Sequence, residues 1–373
     1  MRILVITKFY HPRTGGVETT VKNICEDLVR MGHQCTVVAM DNELSGREII
    51  NGVEVIRFAV DTKALAGLNR GVWKYLTTEV DASSYDIVNI HQYHILLSME
   101  AALFCKLRGI PYVFTAHYHG KGHTPLRNAL FRIYHIMGKY VLSGSSRIIC
   151  VSAYEKAKIL RDFKGLENKC VAVSAGTKEF PVVEVQRRRD SILYVGRLMR
   201  YKGIDYALMA LKILKDRGVC VQLRIVGNGP DRGNLERIAA DLGISDRVVW
   251  LGDISEEELN IEYRTAALLI LLSAAEAYGL VVAEALSCDT PCIVADKEAL
   301  TEFLSEPGVL GVRYPPDPQE VADLIARVIE GDGMKVGPLS SKIIKWHEVS
   351  GRYLDVLGEG IETVRSPASN DRQ

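Results

Sequence analysis

Two glutamates late in the chain have a spacing that suggests a shared ligand. Glu276 and Glu284 bound the segment EAYGLVVAE, with seven residues between them. If that interval were helical, they would stand about 12 Å apart along the axis, at roughly 1.5 Å per residue. This distance is too long for the two carboxylates of a glycoside hydrolase, which flank one glycosidic bond at about 5 to 9.5 Å. The pair is therefore predicted to hold two parts of one elongated ligand.

The residues between the two glutamates predict a phosphate site. An apolar strand over 267–272 is followed by a loop, then by Gly279 and a short helix, and a second apolar strand is expected over 291–294. The helix would direct its first amides and the positive end of its dipole into the loop, where an anion binds favourably. A nucleotide sugar would fit such a site, because it carries a phosphate between two groups with hydroxyls that the carboxylates can bind. The alternative is a surface acid and a helix-face acid with no shared role.

Three further loops are predicted at the same sheet edge. In LYVGRLMRYKGID a strand ends at Gly196, and Arg197 and Lys202 follow it. Ligands of open α/β sheets gather at the carboxyl ends of the strands, so these two cations are placed to neutralise a diphosphate. Two more strands end in glycine turns, VGNGP with Asn228 and GDI over 252–254. The alternative for Arg197 and Lys202, taken alone, is that both side chains simply face solvent.

The beginning of the chain has a similar organisation. A strand over 2–6 precedes the turn HPRTGG, and a helix with apolar residues every three or four positions is expected over 17–31. Gly15 and Gly16 would let the backbone approach a ligand at the helix end. Because the motif is not GxGxxG, a plain turn is the alternative.

Length and composition indicate two soluble domains. The 373 residues suffice for two cores, and 46 basic residues balance 46 acidic ones, so no overall charge favours nucleic acid. The eight cysteines form no CxxC pair and fit buried thiols in a reducing compartment. The apolar N-terminus has the length of a strand, and no run of 18 apolar residues occurs. A cytoplasmic protein, at most peripheral on a membrane, is expected.

Alternating strands and helices predict an α/β protein with two doubly wound domains. The first is expected to span 1–178, the connection 179–190 and the second domain 191–341, with a frayed tail over 366–373. Further helices are expected over 318–330 and 340–357. The remaining strands are predicted at 34–39, 53–58, 87–90, 112–115, 147–151, 169–173, 191–195, 221–226 and 248–251.

Six segments together resemble the retaining GT-B glycosyltransferases of family 4, also called group 1. They are FYHPRTGGVE (9–18), TAHYHG (115–120), VGRLMRYKG (195–203), VGNGP (226–230), WLGDIS (250–255) and the E-x7-E segment (276–284). The resemblance covers nearly the whole chain. It implies two Rossmann-like domains facing a central cleft, with a C-terminal helix over about 342–365 crossing back to the first domain.

The resemblance also implies a role for each site residue. Arg197 and Lys202, next to Gly196, would hold the diphosphate of a UDP- or GDP-linked sugar, and Glu276 would bind the sugar hydroxyls. Glu284 would bind the ribose. Gly15 and Gly16 would contact the donor phosphate from the first domain, and His117 would lie near the sugar. Backbone groups would supply further donor contacts: Tyr278, Gly279 and Leu280 at the sugar and phosphate, and Gly252, Asp253 and Ile254 at the base. Asn228 is also expected to bind the donor.

The same resemblance implies a retaining hexosyl transfer that needs no metal and no cofactor. The leaving phosphate would help to take the acceptor proton, and fixed cations would stabilise its charge in place of a divalent ion. The expected acceptor is lipid-linked or a glycan. A nucleotide-sugar epimerase and a non-catalytic nucleotide-sugar-binding subunit are the alternatives.

Two further patterns leave alternatives open. Five histidines (His91, His94, His117, His119 and His123) suggest acceptor-site or structural residues, with a metal cluster as the alternative. Basic, apolar segments over 62–78 and 121–147 suggest contact with an anionic membrane. Ordinary helices with a solvated basic side are the alternative.

Overall fold

The computed structural model describes residues 1–60, 69–118, 120, 125–331, 334–340 and 343–365, with residues 125–133 and 365 described by their backbone only. The chain divides into two compact units. The first comprises Met1–Gly176 and Trp346–Gln373, and the second comprises Thr177–Lys345. The tail predicted over 366–373 lies outside the described residues.

The first unit is built on an eight-stranded sheet with the strand order β3-β4-β2-β1-β5-β6-β7-β8. All neighbours are parallel except β3, which runs antiparallel to β4. The strands are β1 (Arg2–Ile6), β2 (Gln34–Asp41), β3 (Gly46–Ile50), β4 (Val53–Ala59), β5 (Ile87–His91), β6 (Tyr112–Thr115), β7 (Arg147–Cys150) and β8 (Cys170–Ala172).

Helices connect these strands because apolar residues recur along one side of each connecting segment. In the first helix, for example, Val21, Ile24 and Leu28 are buried. Since connecting helices cover the sheet, the central strands are mostly buried, as Ile3, Leu4, Val5 and Ile6 of β1 illustrate. The helices of this part are α1 (Gly16–Arg30), α2 (Arg70–Thr78), α3 (Leu96–Arg108), α4 (Pro125–Gly144) and α5 (Ala153–Asp162).

The second unit has a six-stranded parallel sheet with the order β11-β10-β9-β12-β13-β14. Its strands are β9 (Arg188–Val195), β10 (Gln222–Val226), β11 (Val248–Gly252), β12 (Ala266–Leu271), β13 (Cys292–Asp296) and β14 (Val309–Arg313). Its helices are α6 (Ile204–Asp216), α7 (Arg232–Asp241), α8 (Glu256–Thr265), α9 (Leu280–Ser287) and α10 (Pro318–Glu330). The two α/β units predicted from the sequence are confirmed.

The chain then returns to the first unit through α11 (Trp346–Arg365). A buried hydrogen bond fixes the return, since Ser350 Oγ donates to Asp27 Oδ2 of α1 at 3.0 Å. At the surface, Arg147 Nε lies 3.0 Å from Glu359 Oε2. Helix α11 therefore completes the packing of the first unit.

Two predicted element boundaries differ from the structure, and two strands were not predicted. The last helix starts at Trp346 rather than at residue 340, because Ile344 O accepts from Thr177 N at 2.8 Å and Lys345 forms a β-bridge with Thr177. Strand β9 begins at Arg188, inside the predicted connection 179–190, because Arg188 pairs with Ala266 and its guanidinium reaches Thr265 Oγ1 at 2.8 Å. Strands β3 and β14 were not predicted at all.

Candidate functional site

The strand order of the second unit locates a ligand crevice. Chain connections leave the sheet in opposite directions from the neighbouring strands β9 and β12. In open α/β sheets such a switch point opens a crevice beyond the carboxyl ends of the two strands. The loop after β9 carries Arg197 and Lys202, and the loop after β12 carries Glu276. Three predicted site residues therefore belong to the two loops at this point.

Lys202 and Glu276 form a largely buried ion pair across these loops. Lys202 Nζ lies 2.6 Å from Glu276 Oε1, and the two side chains are 16% and 14% exposed. Burial lowers the pKa of Lys202, but the negative charge of Glu276 outweighs it, so the pKa is raised overall. The ammonium therefore keeps its charge inside the protein. It can neutralise an anionic ligand while orienting the carboxylate.

Close backbone contacts hold the two loops together. Ala274 N donates to Tyr201 O at 2.7 Å. Gly203, which immediately precedes α6, has φ +69°, and a Cβ placed there would lie 2.2 Å from Leu272 O. Only glycine fits this position, because the backbone is left-handed and another backbone fills the space of a side chain. Lys202 is thus fixed by the residue that follows it.

Arg197 stands at the same edge with an exposed side chain. Its backbone carbonyl accepts a hydrogen bond from the buried Tyr194 hydroxyl at 3.2 Å. Within the described part of the chain, none of the ion pairs involves the Arg197 guanidinium. The backbone is anchored, and the cationic side chain is accessible to solvent.

The N-terminus of α9 supplies backbone donors to the second loop. Gly279 precedes the helix with φ +111°, and no side chain caps the helix. The first N–H groups of an α-helix have no acceptor within the helix, so they can bind an anion. Leu280 begins the helix, while Tyr278 is buried against Phe303 with ring centroids 5.2 Å apart. Burial raises the pKa of the Tyr278 hydroxyl, which has no partner among the described residues.

Glu284 has a partner of its own. It is buried in α9, and Tyr263 Oη of α8 donates to its Oε2 at 2.8 Å. Burial raises the pKa of Glu284, and the Tyr263 hydrogen bond and the nearby Lys178 partly counteract that rise. The two glutamates are thus held by different partners, Lys202 and Tyr263. Sequence reasoning missed Tyr263, since nothing in α8 marks it as the neighbour of a residue 21 positions later.

The other predicted contacts lie on adjacent strand ends. Gly196 N donates to Val226 O at 3.0 Å, and Gly227 N donates to Gly252 O at 2.7 Å. A Cβ on Gly227 would come within 2.3 Å of Gly196 O, so the loops after β9 and β10 are in backbone contact. The three strands β9, β10 and β11 therefore end in one continuous edge.

Polar side chains are arranged along this edge. Asn228 Nδ2 donates to Asp253 Oδ2 at 2.8 Å, and its Oδ1 accepts from Arg232 at 3.0 Å. The Arg232 guanidinium lies 5.8 Å from the centre of the Trp250 ring. Ile254 is half-buried beside Asp253. Asn228, Gly252, Asp253 and Ile254 are thus brought together, and Arg232 joins them although no sequence motif marks it.

The first unit has the other predicted residues at the carboxyl edge of its own sheet. Its switch point lies between β1 and β5, and Lys8 N donates to Gln92 Oε1 at 3.0 Å across the two following loops. Gly15 and Gly16 are exposed at the start of α1. Gly15 has φ 172°, an extended conformation that any residue adopts. The need for glycine there does not follow from the backbone angle.

His117 follows β6 and is buried with φ +47°, in the left-handed region that non-glycine residues rarely adopt. Its Nε2 lies 3.3 Å from His91 Nδ1, and His91 Nε2 lies 2.7 Å from Asn89 Oδ1. Burial lowers the pKa of His91 to about 3. Sequence reasoning grouped His91 with His117 but missed Asn89, whose side chain is buried in the middle of a strand.

A buried carboxylate supports the His117 loop. Glu155 of α5 is fully buried, and its Oε1 accepts from Tyr118 N, while its Oε2 accepts from Val151 N at 2.5 Å. Burial raises the pKa of Glu155 to about 8, although both hydrogen bonds oppose the rise. One side chain therefore ties the loop after β6 to the loop after β7.

The five-histidine cluster is only partly within the described residues. His91 and His117 are in contact, and His94 stacks on Tyr118 with ring centroids 5.7 Å apart. His119 and His123 lie outside the described residues. In the remainder, no group of three or more metal-binding side chains converges on one point.

Two family models match adjacent parts of the chain. Residues 14–178 match Glycosyltransferase Family 4, and residues 177–345 match Glycosyl transferases group 1. An uncharacterized glycosyltransferase of Methanocaldococcus jannaschii is 28% identical over 362 residues, which cover 90% of each chain. The alpha-monoglucosyldiacylglycerol synthase of Streptococcus pneumoniae is 25% identical over 370 residues, covering 92% of this chain and 82% of the synthase.

Solved structures show the same architecture. HepE of Anabaena, in complex with UDP-glucose, superposes with a TM-score of 0.69 at 19% identity, covering 98% of this chain and 100% of HepE. At this identity the likeness concerns the fold, and it agrees with the two Rossmann-like sheets described above. The chain belongs to the glycosyltransferases of group 1 and family 4, and it is an enzyme with the GT-B fold.

Proposed function

We propose that this glycosyltransferase moves a hexose from a UDP- or GDP-linked sugar to a lipid-linked or glycan acceptor, with retention and without a metal. The observation that carries the proposal is the Lys202–Glu276 pair at the switch point of the second unit. It combines a fixed cation for phosphate with an oriented carboxylate for sugar hydroxyls. The relatives support it, since HepE is found with UDP-glucose and the Streptococcus enzyme is named for a glucosylated diacylglycerol.

In this proposal the chemistry is electrostatic. Breaking the bond between the sugar and the diphosphate leaves negative charge on the departing phosphate oxygen. Arg197, Lys202 and the first amides of α9 would stabilise that charge, and such preorganised groups are often the largest contribution to catalysis. The phosphate oxygen would then help to accept the proton of the attacking hydroxyl. A divalent ion is not needed for this step because the cations are built into the protein.

The remaining donor contacts divide by position. Glu276 would bind the sugar, and Glu284 would bind the ribose through its oxygens. The Asn228–Asp253 pair would lie towards the base. Gly15, Gly16 and His117 belong to the first unit, and their roles in donor binding stay predictions.

Nucleotide binding tests the donor half of the proposal. Thermal unfolding is measured with UDP, GDP and ADP and with their glucose or mannose conjugates, because a bound ligand raises the melting temperature in proportion to the logarithm of its excess over Kd. One base is expected to give the largest rise, and Glu284→Ala is expected to abolish it. Glu320→Ala, an exposed glutamate of α10 away from the site loops, is the control. A rise unaffected by Glu284→Ala would contradict the assignment.

Product analysis tests the reaction. A retaining transferase gives the same anomeric configuration in the product as in the donor, which proton NMR of the glycoside determines. An epimerase would instead release free nucleotide or an altered nucleotide sugar without an acceptor, and a binding subunit would turn over neither. Activity lost in EDTA and restored by magnesium would contradict the metal-independent mechanism.

We also propose peripheral contact with an anionic membrane, at a cavity of about 770 Å³ in the first unit. Lys106, Lys139 and Lys169 line it together with exposed Ile136 and Tyr140, and its described lining contains no carboxylate. Apolar side chains together with lysines fit the acyl chains and headgroups of anionic lipid. Among the described residues no helix is both long and apolar enough to cross a bilayer. The eight unpaired cysteines support a reducing, cytoplasmic location.

The cavity adjoins the amino ends of β6 and β7, whereas His117 follows the carboxyl end of β6. Membrane contact at this cavity would therefore be separate from the sugar chemistry. Ile136→Ser combined with Lys139→Glu is expected to reduce sedimentation with vesicles containing anionic lipid. Sedimentation that is equal for anionic and neutral vesicles in the unmodified protein would remove the membrane proposal. The segment predicted over 62–78 is described only from residue 69, and the segment over 121–147 only from residue 125.

A further inference from the structure

Three side chains that follow β10 and β11 form one hydrogen-bonded row. Arg232 Nη1 donates to Asn228 Oδ1 at 3.0 Å, and Asn228 Nδ2 donates to Asp253 Oδ2 at 2.8 Å. Because a guanidinium only donates and a carboxylate only accepts, both contacts require the same orientation of the Asn228 amide. One amide therefore holds a cation and an anion beside each other on the second unit.

Both ends of this row keep hydrogen-bonding capacity. Arg232 Nε is used by Glu236 at 2.8 Å, but its Nη2 has no partner among the described residues. Asp253 Oδ1 likewise has no partner in the described part of the chain, and Oδ2 keeps a lone pair beside the one that Asn228 uses. Since Oδ2 is the oxygen on the Asn228 side, the row offers one donor followed by two acceptors.

The row lies within reach of a nucleotide whose diphosphate is bound at Arg197 and Lys202. Those two cations follow β9, and β10 separates β9 from β11. Neighbouring strands stand about 4.7 to 4.9 Å apart, so the ends of β9 and β11 are about 10 Å apart, a distance that a ribose with its phosphate bridges. Gly252 leaves the space beside the row free of a side chain, since a Cβ there would lie 3.6 Å from Asn228 Nδ2.

We infer that Arg232 and Asp253 select the base of the donor, and that this base is guanine. The inference rests on the proposed function, in which this edge binds a nucleotide sugar, and it decides between the UDP- and GDP-linked donors. The pairing edge of guanine presents O6, N1–H and N2–H in order, which is one acceptor followed by two donors. Arg232 Nη2 donates to O6, and the two oxygens of Asp253 accept from N1–H and N2–H.

Uracil and adenine leave a mismatch in the same row. Uracil presents O4, N3–H and O2, so its second carbonyl meets Asp253 Oδ1, and two acceptors that face each other repel. Adenine turns its amino group towards Arg232, which places donor against donor, and its N1 has no proton for the carboxylate. A repelling or unpaired polar contact rejects a close analogue. Because hydrogen bonds to charged groups are the stronger ones, GDP is expected to bind at least about tenfold more tightly than UDP or ADP.

Calorimetric titration of the full-length protein tests the selection without sugar or acceptor. The dissociation constants of GDP, UDP and ADP are measured in one buffer, so that the diphosphate contacts are common to all three. GDP is expected to have the lowest Kd by at least about tenfold. A Kd for UDP or ADP that equals or falls below the Kd for GDP would overturn the inference.

Asp253→Asn tests the contact with the base through a gain of affinity. Its amide oxygen must keep accepting from Asn228, so the amide nitrogen takes the place of Oδ1 and turns an acceptor into a donor. Xanthosine diphosphate has the size of GDP but carries an oxygen in place of the N2 amino group. The variant is expected to bind GDP at least about tenfold more weakly and xanthosine diphosphate at least about tenfold more tightly than the unmodified protein.

Asp241→Asn is the matched control, because it removes the same charge from an exposed aspartate at the other end of α7. It is expected to change neither Kd. A poorly folded variant loses affinity for every nucleotide, so a gain for xanthosine diphosphate cannot arise from damage to the fold. If Asp253→Asn leaves the ratio of the two dissociation constants as it is in the unmodified protein, Asp253 does not contact the base and the inference is wrong.

The outcomes separate the base assignment from the proposed function. A preference for UDP that Glu284→Ala abolishes and Asp253→Asn leaves unchanged would overturn the base assignment and support the nucleotide-sugar site. A preference for GDP that Asp253→Asn shifts to xanthosine diphosphate, without transfer from any GDP sugar, would support the base assignment and refute the transferase reaction. Failure of every nucleoside diphosphate to bind would refute both.

Discussion

Two glycines at the ends of α6 allow a matched test of how Lys202 is positioned. Gly203 precedes the helix with φ +69°, and Gly218 follows it with φ +77°. A Cβ on Gly203 would lie 2.2 Å from Leu272 O, whereas a Cβ on Gly218 would have no heavy atom within 4 Å. Gly203→Ala and Gly218→Ala therefore impose the same left-handed backbone, and only the first also forces two backbone segments apart.

The expected loss of stability follows from these two contributions. The left-handed conformation costs an alanine about 1 to 2 kcal/mol in either variant. The overlap at Gly203 must be relieved by backbone movement, and such overpacking adds about 1 to 3 kcal/mol. For a unit of this size, 1 kcal/mol shifts the melting temperature by about 2 to 4 °C. Gly203→Ala should therefore melt roughly 2 to 12 °C below Gly218→Ala.

Activity should respond more sharply than stability. The movement that accommodates the added methyl group of Gly203→Ala displaces the adjacent Lys202, whose Nζ is 2.6 Å from Glu276. A misplacement of about 1 Å in a catalytic constellation can cost about 100-fold in rate. Gly203→Ala is expected to lose activity on that scale at a temperature where it is folded, while Gly218→Ala retains it. Equal melting temperatures and equal transfer rates for the two variants would refute the close approach and its role in placing Lys202.

Three other predictions concern buried groups. Tyr263→Phe removes the hydrogen bond to Glu284, so it should lower the free energy of unfolding in denaturant titrations by about 1.5 to 3 kcal/mol. Tyr134→Phe is the control and should cost little, because the Tyr134 hydroxyl has no partner among the described residues. The same Tyr263 variant should raise the pKa of Glu284, and calorimetry should then show nucleotide binding that tightens with rising pH; the same pH profile as the unmodified protein would contradict this. His91 has a folded pKa of about 3 against about 6.5 unfolded, so its unfavourable contribution grows as pH falls between these values, to as much as about 5 kcal/mol. His91→Phe should therefore flatten the loss of stability in acid, and an unchanged acid profile would show that His91 does not limit it.

The sequence predicted elements well where residues are buried on all sides. Strand β12 reads AALLIL and is buried along its whole length, so composition alone identifies it. Strand β3, GREII, lies at the sheet edge with its charged residues exposed. Nothing in its composition indicates that it pairs with β4. Strand β14, VLGVR, is short and contains a glycine, which weakens the signal of a strand.

Individual site residues could be predicted, but their partners could not. Lys202 and Glu276 were each recognised from a local motif at a strand end. Their ion pair could not be predicted, because the two residues are 74 positions apart in the sequence. The pairing depends on β9 and β12 being neighbours, which sheet order decides and local periodicity does not show. Asn89 was not predicted as a partner of His91 for another reason: an amide in an apolar strand looks like an interruption of the strand pattern.

The path of the chain has a consequence for biosynthesis. The first unit needs α11, because Asp27 near the start receives its hydrogen bond from Ser350, 323 positions later. A ribosome makes the whole second unit before that partner emerges. The second sheet can thus be finished while the first still lacks a helix, so the opening half of the polypeptide spends longest exposed to chaperones and proteases. Termination of synthesis just before Trp346 would leave the second sheet complete and the first without α11.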